Sequence, residues 1–358
     1  MANIQKRPDG QWRARYRDDA DKEHARHFAR KIDGQQWLDT VTASVVRGDY
    51  VDPRAGAVTL AAYATGWQTS NVSRESTARI ADNALRVHVL PALGDRPLAT
   101  LRRSDVQGLV KDLSDQLAPR SVRNVYDTLN RVLTAAVDDR LIARTPCARI
   151  TLPAVPDSEV EAPTAEQVHA LAGAVEARYR GLVVLLAGSG LRIGEALGLQ
   201  VADVDFLRRT VRVERQRLQD GSIGPTKTAK STRTVPLGTV VVDELAAHVA
   251  AYRSGEWLFT TPTGEPLNYR RWKTEWKYAL RSTGLAMTTH SLRHFTASAL
   301  IAGGASVKSV QTVLGHSSAA ITLRVYSHLW PGDEDRTRSV MDAALTAPAD
   351  QVRTNATL

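Results

Sequence analysis

Cysteine is nearly missing from this chain. Cys147 is the only one in 358 residues, so no intramolecular disulfide and no cysteine-based metal site can form. No stretch reaches the roughly 18 consecutive apolar residues of a membrane span, and the opening MANIQKRPDGQW lacks the apolar core of a signal peptide. The expected location is the cytoplasm. A glycine-rich loop of the GKS or GKT kind is absent, as is any carboxylate cluster able to hold magnesium, which removes the usual sequence signs of nucleotide- or metal-driven chemistry. Internal repeats and low-complexity tracts are absent too.

What is present is a globular composition, 43% hydrophobic and 24% charged. Single cores seldom exceed about 250 to 300 residues, so two or three domains are expected. The 47 Lys and Arg outnumber the 38 Asp and Glu, leaving +9; that excess favours a polyanionic partner such as nucleic acid.

Two proline-bearing stretches punctuate the chain, one around Pro53 and one from Pro146 to Pro163 with four of the fifteen prolines. Both read as linkers. Before the first, QWRARYR (11–17) and KEHARHFA (22–29) alternate as strands do, and Trp37, Val41 and Val45 are spaced as one helix face ending at Gly48. Residues 57–147 read as four helices: one capped by Thr59, one from Ser76 to Leu90 with Pro91 after it, one capped by Ser104, and one from Pro119. The third block opens on TAEQ, a capping box in which Thr164 and Gln167 satisfy each other's backbone donors. An apolar helix follows, then strands around a turn at Asp220–Gly221, then helices to about Leu345 and a frayed tail.

The third block also concentrates residues able to do chemistry: GSGLRIGEALGL (188–199), PTKTAKSTRTVPL (225–237), HSLRHFTAS (290–298), LGHSS (314–318) and ITLRVYSHL (321–329). Each segment has an ordinary reading. Arg192 and Glu195 could be a structural ion pair, Lys227 a solvated lysine, His290 a capping residue beside a surface Arg293, and Tyr326 a core aromatic. Together they supply two arginines, a lysine, two histidines and a tyrosine, a set suited to phosphodiester chemistry without a metal. A phosphodiester under attack gains charge on its non-bridging oxygens, which paired guanidiniums can neutralise. A phenol, with a reference pKa of about 10, must lose its proton on attack, and the leaving alkoxide must gain one.

Arg192 in GLRIGE, Lys227 in TKTAKSTRTVP, His290 and Arg293 in HSLRH, His316 in LGH and Tyr326 in RVYSH resemble, in order and spacing, the active-site pattern of the tyrosine recombinases, the phage-integrase family. No departure is found at the six positions. The resemblance implies site-specific strand exchange: Tyr326 attacks a DNA phosphate to form a 3'-phosphotyrosyl link, and the freed 5'-hydroxyl of a partner strand reverses the step, with no ATP, metal or other cofactor. It implies that Arg192 and Arg293 clamp the phosphate, Lys227 protonates the 5'-oxygen, His290 is an acid/base or phosphate ligand, and His316 donates a hydrogen bond. Glu195 would orient its neighbours, and Trp330 would pack the nucleophile's helix or help a C-terminal segment dock on another subunit.

The implied architecture is multidomain and mainly α with small β-sheets: an arm-DNA-binding-like α+β domain at 1–50, a helical core-binding domain at 57–147, an α+β catalytic domain at 160–346 and a flexible tail at 347–358. The implied partners are double-stranded DNA attachment sites, a homotetramer on that DNA, and an excisionase or host DNA-bending protein. Alternatives are a chromosome or plasmid resolution recombinase, a type IB topoisomerase, and a non-catalytic DNA-binding regulator with the same fold.

Overall fold

The computed structural model describes residues 2–17, 21–47, 51–52, 55–156, 161–226, 232–330 and 334–346. The segment 227–231, with Lys227, and the tail 347–358 lie outside the described residues. The chain divides into two compact units, Met1–Asp157 and Ser158–Leu358.

The first unit opens with an antiparallel sheet in the order β1 (Asn3–Lys6), β2 (Trp12–Arg17), β3 (Glu23–Phe28), followed by α1 (Lys31–Arg47). Alternation along β2 buries Ala14 and Tyr16 and leaves Arg13 and Arg17 in water. Leu38, Trp37 and Val41 of α1 close over that face. The short polar β1, NIQK, carries no hydrophobic alternation and escaped the sequence reading; backbone pairing to β2 holds it.

Five helices follow, α2 (Leu60–Ser70), α3 (Glu75–Asn83), α4 (Leu90–Leu93), α5 (Arg103–Ser114) and α6 (Pro119–Asp138). Thr59 caps α2 as expected, its hydroxyl accepting the Ala62 N–H at 3.3 Å. Two boundaries differ. The second helix does not stop before Pro91: α3 widens into a π-helical turn over Ala84–Val89, and Pro91 lies inside α4. The Leu90 N–H then donates five residues back to Leu85. This wider turn accommodates a ring that would crowd a regular helix and an amide with no N–H. Ser104 is not the cap of α5, which begins at Arg103; the Asp105 carboxylate accepts the Arg102 N–H at 2.7 Å, so a first-turn acid closes the helix start on a different donor from the one a Ser104 hydroxyl would have taken. In α6, Val122, Val125, Leu129, Val132, Leu133 and Ala136 fall three and four apart on the buried face. They share one core with Leu60, Leu85, Val106 and Cys147.

The second unit contains α7 (Ala165–Ala174), α8 (Ala177–Ser189), α9 (Ile193–Leu197), β4 (Val204–Asp205), β5 (Thr210–Val213), β6 (Arg215–Arg217), β7 (Ile223–Pro225), β8 (Arg233–Pro236), α10 (Thr239–Ala251), α11 (Tyr269–Thr283), α12 (Ser291–Ala302), α13 (Val307–Leu314), α14 (Ala319–Tyr326) and α15 (Glu334–Leu345). The Thr164–Gln167 box forms in both directions, at 3.2 and 2.9 Å. α8 is buried nearly all round and packs against α7, α10 and α12, which makes it the centre of the unit. The strands make two sheets where the sequence suggested one, β4-β5-β8 and the hairpin β6-β7. Val211, Val213 and Val235 carry the first into the core, while β6 and β7 have no comparable apolar face and stand apart. The C-terminal helices enclose a second cluster of Ala297, Ile301, Val310, Leu314 and Tyr326, with Trp330 packed against it. Among the described residues, no helix is long and apolar enough to cross a membrane.

Candidate active site

Arg192 stands at the turn between α8 and α9. Its backbone N–H and its Nη1 both donate to Glu195 one helical turn on, at 2.9 and 2.8 Å, and Nη2 lies 3.4 Å from the Gly315 carbonyl. Glu195 is 1% exposed and holds a second guanidinium: Arg233 of β8 donates to its two oxygens at 3.3 and 3.0 Å, and Arg233 Nε donates to the Val313 carbonyl at 2.8 Å. Burial works to raise the Glu195 pKa, but Arg233 and then Arg192 hold it below the usual carboxylate value. This carboxylate is fully charged and joins α9, β8 and the end of α13.

Arg293 enters from the first turn of α12. It is 2% exposed, Nη1 donates to the Gly190 carbonyl at 2.7 Å, and Nη2 has no hydrogen-bond partner among the described residues. Burial, then the positive charge of Arg192, brings its pKa down to about 9. Gly190 ends α8 with φ +65°, and a Cβ there would lie 2.6 Å from the Leu314 side chain and 3.3 Å from Thr296. Only glycine fits that left-handed turn against α12 and α13.

His316 follows Gly315, whose φ of +64° ends α13. Its Nδ1 is 2.8 Å from the Thr322 hydroxyl of α14, so the ring is held by one nitrogen and Nε2 stays on the far side. Burial, followed by Arg293, Arg192 and His290, brings its pKa down to about 4. His290 caps α12 from its more open side; loss of water around the ring, then His294, Arg293 and Arg192, depresses it likewise. Both imidazoles are therefore neutral at physiological pH.

Tyr326 is the last residue of α14 and 2% exposed. Its hydroxyl lies 2.7 Å from Nδ1 of His294. Burial pushes the phenol up to about 12, with Arg293 pulling the other way. The charge of Arg293 is thus felt at His290, His294, His316 and Tyr326.

Five of the six residues read from the sequence, Arg192, His290, Arg293, His316 and Tyr326, come together within one electrostatic neighbourhood of the second unit; Lys227 lies outside the described residues. The sequence reading passed over Arg233 and His294. A signal existed for each. Arg233 has the inward parity of β8, two residues from buried Val235, and His294 is one turn beyond His290 on the same helix face. Among the described residues there is no group of three or more His, Cys, Asp or Glu that could hold a metal ion.

Residues 162–331 match the phage integrase family. That segment is a phage integrase family domain. The recombinase is 26% identical over 341 residues to the integrase of Mycobacterium phage D29, covering 90% of this chain and 91% of that one. It is also 36% identical over 196 residues to tyrosine recombinase XerC of Mycobacterium bovis, covering 51% of this chain and 61% of that one. Its fold is that of the Tn1549 transposon integrase in complex with a circular intermediate DNA, with TM-score 0.70, 22% identity, and 80% of this chain on 99% of that one. It is likewise the fold of lambda integrase, whose tetramer is bound to a Holliday junction, with TM-score 0.61, 19% identity, and 88% of this chain on 96% of that one. The recombinase is thus multidomain, mainly helical with small antiparallel sheets, and a tyrosine-type site-specific recombinase.

Proposed function

We propose that the recombinase binds duplex attachment sites and cuts them with Tyr326, forming a 3'-phosphotyrosyl intermediate that a partner strand's 5'-hydroxyl resolves. The observation that carries this reading is Arg293: a buried guanidinium with one nitrogen unpaired among the described residues, its charge reaching Tyr326 and three histidines. A buried donor without a partner costs about 1 to 3 kcal/mol. A phosphate oxygen would remove that cost. Arg192, Arg233 and Arg293 meet one carboxylate, Glu195, so the region has a positive excess to set against the charge that grows on the phosphorus oxygens. His316 Nε2 is available as a further donor, His290 as an acid/base or phosphate ligand, and Lys227 as the acid for the 5'-oxygen. Because the phenol is 2% exposed, engagement with DNA has to uncover it before attack.

In this reading residues 1–50 bind arm DNA, 57–147 bind the core site, 160–346 catalyse, and 347–358 form a tail. Likeness to the phage integrase runs over 90% of the chain, against 51% for XerC, which favours integration of a phage or other mobile element over chromosome resolution. Exchange between two duplexes calls for four active sites, hence a homotetramer on DNA in the cytoplasm, its direction set by an excisionase or a host DNA-bending protein. The test is a nicked suicide duplex, its core sequence first selected from a randomised library by adduct formation. A covalent protein–DNA species on denaturing gels that Tyr326→Phe removes supports the reading, and a protein that binds DNA but never forms the species refutes it.

A further inference from the structure

We infer that His294 is a further catalytic residue: its Nδ1 accepts the phenolic proton of Tyr326 as the phenol attacks, and returns that proton when the strand is resealed. This rests on Tyr326 being the nucleophile. The contact is direct, with Nδ1 2.7 Å from the hydroxyl, inside the reach a general base needs. The two rings meet at 5.6 Å in an edge arrangement, and His290 also stands edge-on to His294 at 4.9 Å.

The surroundings suit a proton acceptor. The ionisable groups around His294 are His290 and Arg293 from its own helix and Tyr326 from α14; from α13 the same cluster receives Val310 and Leu314, which do not titrate. Burial and then Arg293 keep the imidazole below its ordinary pKa, so it is neutral and able to accept. Among the described residues the carboxylate of the site is Glu195, and it is occupied by Arg192 and Arg233. A base is needed: with the phenol at about 12, the ionised fraction at pH 7.5 is only about 3 in 100,000. The phenolic oxygen forms the bond to phosphorus, its proton moves to Nδ1 to give an imidazolium, the P–O5' bond breaks, and the 5'-oxygen takes a separate proton from the acid assigned to Lys227. Religation runs the same transfers backwards.

The experiment measures single-turnover adduct formation from pH 5.5 to 9.5 on the selected suicide duplex with a bridging 5'-sulfur, a leaving group that needs no acid. It compares the full-length protein with His294→Gln and His294→Ala, each checked for retained duplex binding. The expected result is a loss of about 10²- to 10⁴-fold near pH 7, shrinking about tenfold per pH unit as hydroxide replaces the base, with added imidazole restoring His294→Ala. Three results overturn the proposal: an unchanged rate, a loss independent of both pH and imidazole, or faster cleavage, which would make His294 a restraint on the phenol. Tyr326→Phe run alongside separates the two levels. An adduct surviving that change refutes the nucleophile itself, whereas an adduct that requires Tyr326 and ignores His294 refutes only the base.

Discussion

Replacing Arg233 with Met tests whether the buried carboxylate at the centre of the site is held as the geometry says. Arg233 makes two hydrogen bonds to Glu195 and one to the Val313 carbonyl, with its side chain 6% exposed. Removing one partner of a buried ion pair costs about 3 to 5 kcal/mol. Arg192 still holds Glu195 in the variant, which brings the cost below that of an unpaired charge, to about 2 to 4 kcal/mol. For a unit of residues 158–358 this amounts to roughly 5 to 15 °C in Tm. Glu195→Gln in the same background removes the under-compensated charge, so the double variant should be more stable than the two single losses added together, by at least about 1.5 kcal/mol. The measurement is urea unfolding followed by hydrogen exchange of peptides from Ser158–Leu358, which keeps the transition of the other unit out of the signal. A loss below about 0.5 kcal/mol for Arg233→Met, or strict additivity in the double variant, would refute the reasoning.

Two further outcomes follow from the same site. Gly190→Ala introduces a Cβ 2.6 Å from Leu314 at φ +65°, and should cost about 2 kcal/mol or more while lowering duplex affinity, because it shifts the carbonyl that holds Arg293; an unchanged midpoint and affinity would count against it. His316 is held at about 4 against about 6.5 in an unfolded chain, so the unfolded state binds more protons between those values. Stability should therefore fall as pH drops from about 6.5 to 4. After discounting for its partial exposure the fall is about 1 to 2 kcal/mol. Chemical denaturation across that range should show His316→Gln flatter than the parent, and equal slopes would remove the argument.

The parts of the fold legible in the sequence are those decided within one helical turn. The Thr164–Gln167 box, the Thr59 cap, the left-handed glycine after α13 and the 3–4 spacing of α6 all join residues a few positions apart, so residue type and spacing suffice. The misread boundaries have local causes as well. Pro91 reads as a stop because the interior of a regular α-helix cannot hold it, whereas here the π turn over Ala84–Val89 precedes it and leaves it in the first turn of α4; at α5 the Asp105 carboxylate takes the Arg102 N–H, a different donor from the one a Ser104 hydroxyl would take further along the chain.

Sequence alone therefore determined most of the helical segments, the positive balance and which residue types were available for phosphate chemistry, since side-chain chemistry and short-range hydrogen bonding belong to the chain wherever it folds. Tertiary structure decided which of those side chains meet. Arg233 reaches Glu195 across 38 positions and His294 reaches Tyr326 across 32, through the packing of β8 against α13, α9 against α8, α12 against α8 and α13, and α13 against α14. Burial there pushes His290, Arg293, His294, His316 and Tyr326 toward their neutral forms, because the cost of charge depends on how much water the fold removes.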